Sequence, residues 1–592
     1  MGLSGFKTNT FRRLLYMNID NTKEKLINSG YSITNDGKVI SKNNKIITNT
    51  IPSIKKQITK RSSNKEEKYI EIGALTNGKI LTPICIKTKE LDNVKWVNEK
   101  WGLDVIVYPR MEKEFLLMLK EIDKDVKNEI VVDSIGWNNE CGKYSYLFSN
   151  ETIGDTNIRA EVDEHLRNYK LTSKRSKNLK KDCKKSLDLI HIVNKKISFV
   201  LLGLVYLSPL LEFIKLSTKL PEFVTWIYGS TGSGKTTLAR QFLAHFGDFK
   251  NSLPASFNDT YSSIELKAHR VKDALMVLDD YCPQASYKES QAMDTTAEKI
   301  IRAVCDRVSR GRMNINLESQ QQFIPRGMLL ITGETLISGH STVERLIPLE
   351  IKRNDINWDK MSKSQNDMEA LSRCMRGYIE YLLEQANDDI NSLSEIIVSN
   401  YNEYLKFFRE NSAPSHGRTY EAFAWVATGL NIGMQFFRDI ELITEDDISK
   451  YMEEALEKFL DIIYMKSSNV AENKPSKIFI ESLKDIVSSS TISILNLDTR
   501  EVTGSTKCIK GYCDSEYYYF NYSEIFSIVN QRLKNEKVYL PFNSRKMLKE
   551  LTNDDVILKD SNGGNPKKVI IDEHGVKQRQ RFLCVKKNFL EN

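Results

Sequence analysis

The run GSTGSGKTT, made of Gly229, Ser230, Thr231, Gly232, Ser233, Gly234, Lys235, Thr236 and Thr237, has the residue types and spacing of a phosphate grip. It matches GxxxxGK(S/T) in full at Gly229, Gly234, Lys235 and Thr236. Glycines let successive backbone N–H groups turn inward around phosphate oxygens. The Lys235 ammonium adds a mobile charge, and the Thr236 hydroxyl is a ligand for Mg²⁺. The implied cofactors are ATP and Mg²⁺.

Further downstream, the apolar run Ala274–Leu278 ends in Asp279 and Asp280. An acid at the tip of such a strand holds Mg²⁺, and its neighbour polarises the water that attacks the γ-phosphate. Asp279 is assigned to the metal and Asp280 to the water. The second assignment is the weaker, because many ATPases carry Glu there and Asp is one methylene shorter. A third apolar run, Met328 to Thr332, leads into Gly333 and Glu334. Thr332 and Glu334 both qualify as the polar group between loop and acids that reports the γ-phosphate. Capping of the strand end is the competing account.

Two arginines have the placement to act on a neighbouring subunit's nucleotide: Arg345, just before a further strand, and Arg418, at the head of a helix. A surface salt bridge is the alternative for each. Arg310 and Arg312 lie in a polar SRGRMN turn that suits a loop on a nucleic-acid backbone, or an ordinary exposed loop.

These groups need a sheet and helices to hold them. Val224–Tyr228 reads as a strand entering the loop, and the helix after Lys235 turns its positive end to the phosphates. Around this core the chain divides into an N-terminal arm (1–68), a small mixed α/β domain (69–160), a basic linker (161–195), an ATPase domain with a helical lid (196–465) and a C-terminal module (476–592). Asp123-Lys124-Asp125 in the small domain reads as a solvated helix end. In the linker, the basic stretch Arg167–Lys185 suits either solvent or nucleic-acid phosphates. In the C-terminal module two helical segments precede a hairpin signal, Asn562-Gly563-Gly564-Asn565, between VILKD and KVIID. Helix, helix and β-wing predict a winged-helix domain. As a DNA reader it would use Arg545, Lys546 and Lys549 on the second helix and Lys567 and Lys568 on the wing. A winged helix that binds only protein is the alternative.

Composition sets the limits. With 592 residues, 40% hydrophobic and 28% charged, the chain has the make-up of a soluble protein of several cored domains. The net charge of +8 leans mildly towards polyanions. Nine cysteines without paired zinc-ligand spacing read as free thiols in a reducing cytoplasm. The one apolar stretch, Ile197–Leu211, reads as a buried helix rather than a membrane span, and no membrane partner is expected.

From Leu201 (LLGLVYLSPLLEF) through GSTGSGKTT, SSIELKAHRVKDALMVLDD, LLITGET, ERLIPLEI and GRTYEAFAWVATGL, the chain resembles AAA+ ATPases. Within that class, these segments resemble a family catalogued as a domain of unknown function in phage and genomic-island proteins. Its studied members are MCM-like replicative helicases of staphylococcal mobile elements. DSIGW and YSYLFSNETIG are similar too, so the likeness runs from about Tyr69 to Gly433. It implies an α/β fold with an AAA+ P-loop core, and carries over Lys235, Thr236 and Asp279, with Arg345 as finger in trans and Arg418 as second sensor. It further implies a homo-hexameric ring that moves on single-stranded DNA and recognises origin double-stranded DNA, with a primase or other replication proteins as partners. The expected activity is that of a DNA helicase and replication initiator of a mobile genetic element. The alternative is an ATP-switched origin-binding or regulatory AAA+ protein that does not unwind. The absence of an LSGGQ signature argues against transporter-type ATPases, and the basic C-terminal module against a remodelling machine.

Overall fold

The computed structural model describes residues 21–591 apart from 63–64, 123–125, 173–175, 283–285, 309–321, 338, 413–414, 473, 505–507, 536–543, 561–564 and 572–576. Asp123-Lys124-Asp125, Arg310, Arg312 and the Asn562–Gly564 part of the hairpin signal therefore lie outside the described residues.

The phosphate loop leaves the end of a central strand. In chain order the sheet strands are β1 (Val224–Tyr228), β2 (Ala255–Ser256), β3 (Leu275–Tyr281), β4 (Met328–Gly333) and β5 (Leu346–Glu350). Their spatial order is β2-β3-β4-β1-β5. β1 pairs with β4, β4 with β3 and β3 with β2, all parallel. VTWIY, LMVLDDY and MLLITG are almost continuously apolar because parallel strands are covered on both faces. Trp226 of β1 meets Tyr281 of β3 edge-on at 4.9 Å. β4 lies between β1 and β3, so the loop after β1, the acids on β3 and the end of β4 meet at one edge of the sheet.

The helix Lys195–Leu207 has every residue from Ile197 onward buried. With its continuation to Ile214 it is the one candidate among the described residues long and apolar enough to cross a membrane, and it is wholly buried. After β5 the chain is helical: Trp358–Asn366, Met368–Asn411 with a non-helical residue at Asp389, Gly417–Asp439 and Glu445–Glu472.

The N-terminal region departs from expectation. The arm of residues 1–68 already carries structure from residue 21, with a helix over 21–28 and then strands from Ser32, including the long strand Thr50–Ser62, the middle strand of a five-stranded sheet. Its polarity disguised it, because its cations are matched by acids distant in the chain: Lys56 with Glu129 of the adjacent strand at 2.7 Å, Lys60 with Glu161 at 2.7 Å and Arg61 with Glu140 of another sheet at 2.7 Å. The described residues of the expected linker 161–195 are structured too. The linker contains the helix Leu179–Leu187, capped by the Asn178 side chain, with Asp182 buried and accepting from the Arg373 guanidinium at 2.8 and 2.9 Å. Several of its lysines are already ion-paired: Lys170 with Asp248, Lys180 with Glu441, Lys184 with Asp188 and Lys185 with Asp367. Charge density there marks a helix that exchanges ion pairs with its own fold.

Trp137 joins the small domain to the sheet. Its backbone N–H donates to Asp273 Oδ2 at 3.1 Å and its indole N–H to the Pro209 carbonyl at 2.8 Å, while the Tyr146 hydroxyl donates to the Asp273 carbonyl at 2.7 Å. Gly136 is required here, since a Cβ would lie 2.1 Å from the Lys272 carbonyl oxygen.

The chain forms two compact units. One holds Met1–Leu336, Ile347–Phe407 and Glu421–Lys458; the other holds Ile337–Leu346, Phe408–Tyr420 and Phe459–Asn592. The expected ATPase segment 196–465 is thus not one body: the stretches bearing Arg345 and Arg418 group with the C-terminal module. That module has a five-stranded sheet, Val502–Thr503, Ser493–Asn496, Ile509–Cys513, Tyr517–Phe520 and Leu583–Lys586 in spatial order, with helices Pro475–Ser488, Tyr522–Asn535 and Ser544–Asn553 and a hairpin of Lys567–Ile571 with Lys577–Arg581. KVIID therefore pairs with KQRQR and not with VILKD. Ile557 instead bridges to Val585, which draws VILKD towards the last strand.

Candidate functional site

The grip is shaped by steric necessity. Gly234 caps the helix Lys235–Leu243 in the left-handed region at φ +90°, and a Cβ there would lie 2.5 Å from Ile356 Cδ1. A Cβ on Gly229 would meet the Ile351 carbonyl oxygen at 2.2 Å. The loop can therefore close only with glycine at both places. Lys235 Nζ lies over it and donates to the Gly229 and Ser230 carbonyls at 2.8 and 2.9 Å.

β3 has a register irregularity against β4 between Leu278 and Tyr281, and Asp280 sits in the left-handed region at φ +70°. In a regular strand two consecutive acids point to opposite faces. A bulge re-aims them. Asp279 Oδ1 accepts from Thr236 Oγ1 at 3.0 Å and also from Thr332 Oγ1. Asp280 instead faces the cavity beside the loop, and its backbone N–H donates to Thr332 Oγ1 at 3.3 Å. Thr332 thus touches both acids at the end of β4.

The cavity measures about 260 Å³ and is lined by Thr231, Gly232, Gly234, Lys235, Thr236, Thr237, Asp280, Thr332, Gly333 and Glu334. Glu334 accepts from Thr231 Oγ1, and this bond, with one from Cys282, holds its carboxyl below the usual range. Ser233 is buried under the loop with no hydrogen-bond partner for its Oγ among the described residues. These features fit a magnesium nucleotide: a glycine cradle, an ammonium above it, an orphaned hydroxyl in the loop, and hard oxygen donors on Thr236 and Asp279.

Arg345 and Arg418 belong to the second unit. Arg345 is half-buried and donates to the Ser341 carbonyl at 2.8 Å and to Ser341 Oγ at 3.0 Å. Arg418 is half-buried in the first turn of Gly417–Asp439.

On the helix Ser544–Asn553, Arg545, Lys546 and Lys549 are exposed while Met547 and Leu551 are buried. On the hairpin, Lys567 lies opposite Arg581, Val569 opposite Arg579 and Ile571 opposite Lys577. One face therefore carries Lys567, Lys577, Arg579 and Arg581. Lys568 is on the other face, its Nζ 5.5 Å from the centre of the Tyr519 ring, and does not share the basic face of Lys567. Lys577 and Arg579 escaped the sequence reading because the hairpin was paired with the wrong strand. The alternation of basic residues in KQRQR was the signal for them.

The family profile described as "Domain of unknown function (DUF927)" matches residues 99–320, a span that includes the phosphate loop and Asp279. No curated protein matches the chain. Among solved structures, one described as "SCCmec type IV Cch - active helicase" is similar with a TM-score of 0.62 and 12% identity, over 95% of this chain and 99% of that one. A JCV helicase structure with a bound acetamide compound matches at 14% identity over 40% of this chain and 66% of that one, but its TM-score of 0.21 carries no argument. The likeness to Cch is one of fold: the chain has a mixed α/β fold like that helicase's, with a phosphate-loop core.

Proposed function

We propose that this chain is an ATP-dependent DNA helicase and replication initiator of a mobile genetic element, akin to the self-loading Rep of the staphylococcal pathogenicity islands. It acts as a homo-hexameric AAA+ ring on single-stranded DNA, with origin recognition by a C-terminal winged-helix module. The observation that carries the reading is the meeting of Thr236, Asp279 and Thr332 beside a glycine-shaped loop, in a chain whose fold resembles a helicase along nearly its whole length.

In this reading Lys235 binds the β- and γ-phosphates, and Thr236 and Asp279 hold Mg²⁺. The metal, when bound, neutralises charge on the transferring phosphoryl group. Asp280, from its place on the cavity wall, orients the attacking water and accepts its proton, with Glu334 the second carboxylate within the same cleft. Thr332 ties Asp279 and the Asp280 backbone together, so a change at one acid is felt at the other. Arg345 completes a neighbouring subunit's site and Arg418 serves as second sensor.

The deciding experiment measures ATP hydrolysis with and without DNA, together with displacement of a labelled strand from a fork. DNA-stimulated hydrolysis with strand displacement, both lost in Lys235→Ala, supports the helicase. Origin binding that responds to ATP without displacement would favour the regulatory alternative.

A further inference from the structure

In the second unit, Lys466 is buried at 4% exposure, although lysine ammonium groups strongly prefer water. Its Nζ donates to the Leu346 carbonyl at 2.8 Å, the Glu344 carbonyl at 3.0 Å and Thr419 Oγ1 at 3.1 Å. An ammonium has three N–H donors, and three acceptors surround this one. Two of them flank Arg345 on either side in the chain. The third belongs to the residue that follows Arg418. A single side chain thus clamps together the two segments that carry the two arginines.

The clamp also has a root. Lys466 sits on the helix Glu445–Glu472, and just beyond it Lys474 Nζ meets Asp554 Oδ1 at 2.6 Å while Ser476 Oγ donates to Asp554 Oδ2 at 2.5 Å. Asp554 directly follows the helix that exposes Arg545, Lys546 and Lys549. Within the second unit, Lys466 thus holds the peptide units around Arg345, and Lys474 and Ser476 hold the end of the basic helix. A buried ammonium is costly where an apolar side chain would pack for less. What the lysine adds is a fixed geometry between two chain segments far apart in sequence.

We propose that Lys466 is a positioning residue: it fixes Arg345 and Arg418 relative to one another and links both to the C-terminal module, so that nucleic acid on that module alters turnover in the adjoining subunit's site. The inference rests on the reading of Arg345 as a finger acting in trans. Lys466 touches no nucleotide. Its effect falls on turnover and leaves nucleotide binding alone.

The test uses the full-length protein and compares Lys466→Met, Lys466→Arg, Thr419→Val and Arg345→Ala for ATP KM, kcat, DNA stimulation and thermal midpoint. Small displacements of a transition-state group cost up to about 10²-fold, so Lys466→Met is expected to lower kcat by at least about tenfold with KM within about twofold. Lys466→Arg restores part of the loss, and Thr419→Val gives a smaller loss of the same kind. Lys466→Met added to Arg345→Ala costs little more than Arg345→Ala alone, because both remove one effect. Mixing Lys466→Met with Lys235→Ala subunits recovers activity, since the Lys235→Ala subunit supplies a well-held Arg345. Full turnover in Lys466→Met, or loss of KM and thermal midpoint with no recovery on mixing, overturns the inference. Full turnover in Arg345→Ala would instead sink the finger reading beneath it; an inactive Arg345→Ala beside a fully active Lys466→Met sinks the Lys466 proposal alone.

Discussion

Thr236 Oγ1 donates a 3.0 Å hydrogen bond to Asp279 Oδ1, joining the first turn of the helix after the phosphate loop to the bulge at the end of β3. The same two oxygens are the hard donors available to Mg²⁺ beside the cavity. Asp279→Asn keeps the shape and replaces the anionic donor with a neutral one. It is expected to bind nucleotide without Mg²⁺ as the parent does, to lose most of the gain in affinity that Mg²⁺ gives, and to lose turnover by about 10²-fold or more. Calorimetric titration with and without Mg²⁺ checks this. An unchanged Mg²⁺ dependence would remove Asp279 from the metal role.

Arg345→Ala subunits are expected to bind ATP normally and to lose hydrolysis by about 10³-fold, as for other arginine fingers. Lys235→Ala fails at the other half of the composite site. In the proposed ring, mixing creates interfaces that pair an intact loop with an intact arginine, so some turnover is expected to return. Rings shown to mix without recovering activity would count against action in trans.

Asp280 stores backbone strain at φ +70° while its carboxylate faces the cavity. Asp280→Gly relieves the strain, which is worth about 1 kcal/mol, and deletes the carboxylate. Glycine loses a similar amount in backbone entropy on folding, so the expected result is a thermal midpoint changed little, with hydrolysis nearly abolished. A Gly variant that hydrolyses ATP at the parental rate would move the water-activating role to Glu334, and Glu334→Gln would then be the inactive variant.

The motif was legible because phosphate chemistry needs glycine, lysine and a hydroxyl at fixed spacing, and Asp279 because an apolar strand ending in acid stands out. The bulge was not legible. Nothing in LMVLDDY distinguishes a regular strand from one whose bulge sets Asp279 against Thr236 and Asp280 on the cavity wall. The strand Thr50–Ser62 and the helix Leu179–Leu187 were misread because their charges are satisfied by residues far away in the chain, such as Glu129 and Arg373, and local composition cannot show that. Lys466 was invisible for the same reason: its three acceptors come from residues 344, 346 and 419.

His245 is fully buried. Its Nδ1 is 2.7 Å from the Phe242 carbonyl, so that nitrogen carries the proton, and Nε2 accepts from Ser186 Oγ at 2.8 Å. Burial pushes its pKa down to about 4, and burial together with Arg326 brings His269 to about 4 as well. Between these values and the unfolded value near 6.5, the unfolded chain binds more protons, so stability rises with pH in that window. The contribution is complete above about pH 6.5 and is lost as pH falls towards 4, amounting to at most roughly 3 kcal/mol for His245. Denaturation midpoints measured from pH 7 to 4 should fall. In His245→Gln, whose amide can serve both partners, the fall should be shallower. An equal slope in parent and variant would mean that His245 is protonated in the folded state.

The C-terminal module offers two basic surfaces with different expected roles. Arg545 and Lys549 stand on the exposed face of a helix whose other face packs through Met547 and Leu551, the geometry for presenting side chains to base edges. Lys567, Lys577 and Arg579 share one face of a hairpin, where alternating cations suit a phosphate backbone. If Arg545 contacts a base, Arg545→Ala costs about 1–3 kcal/mol on the origin and relaxes discrimination against random duplex. Lys577→Ala and Arg579→Ala weaken binding to every sequence alike, and each lowers the slope of log affinity against log salt by about 1. Lys568→Ala, whose ammonium lies against the Tyr519 ring, changes that slope far less than Lys577→Ala does. Competition binding of origin against random duplex at several salt concentrations separates these effects. If Arg545→Ala kept full origin preference while the hairpin variants lost it, the reading of sequence would belong to the hairpin and the helix would be left with the backbone.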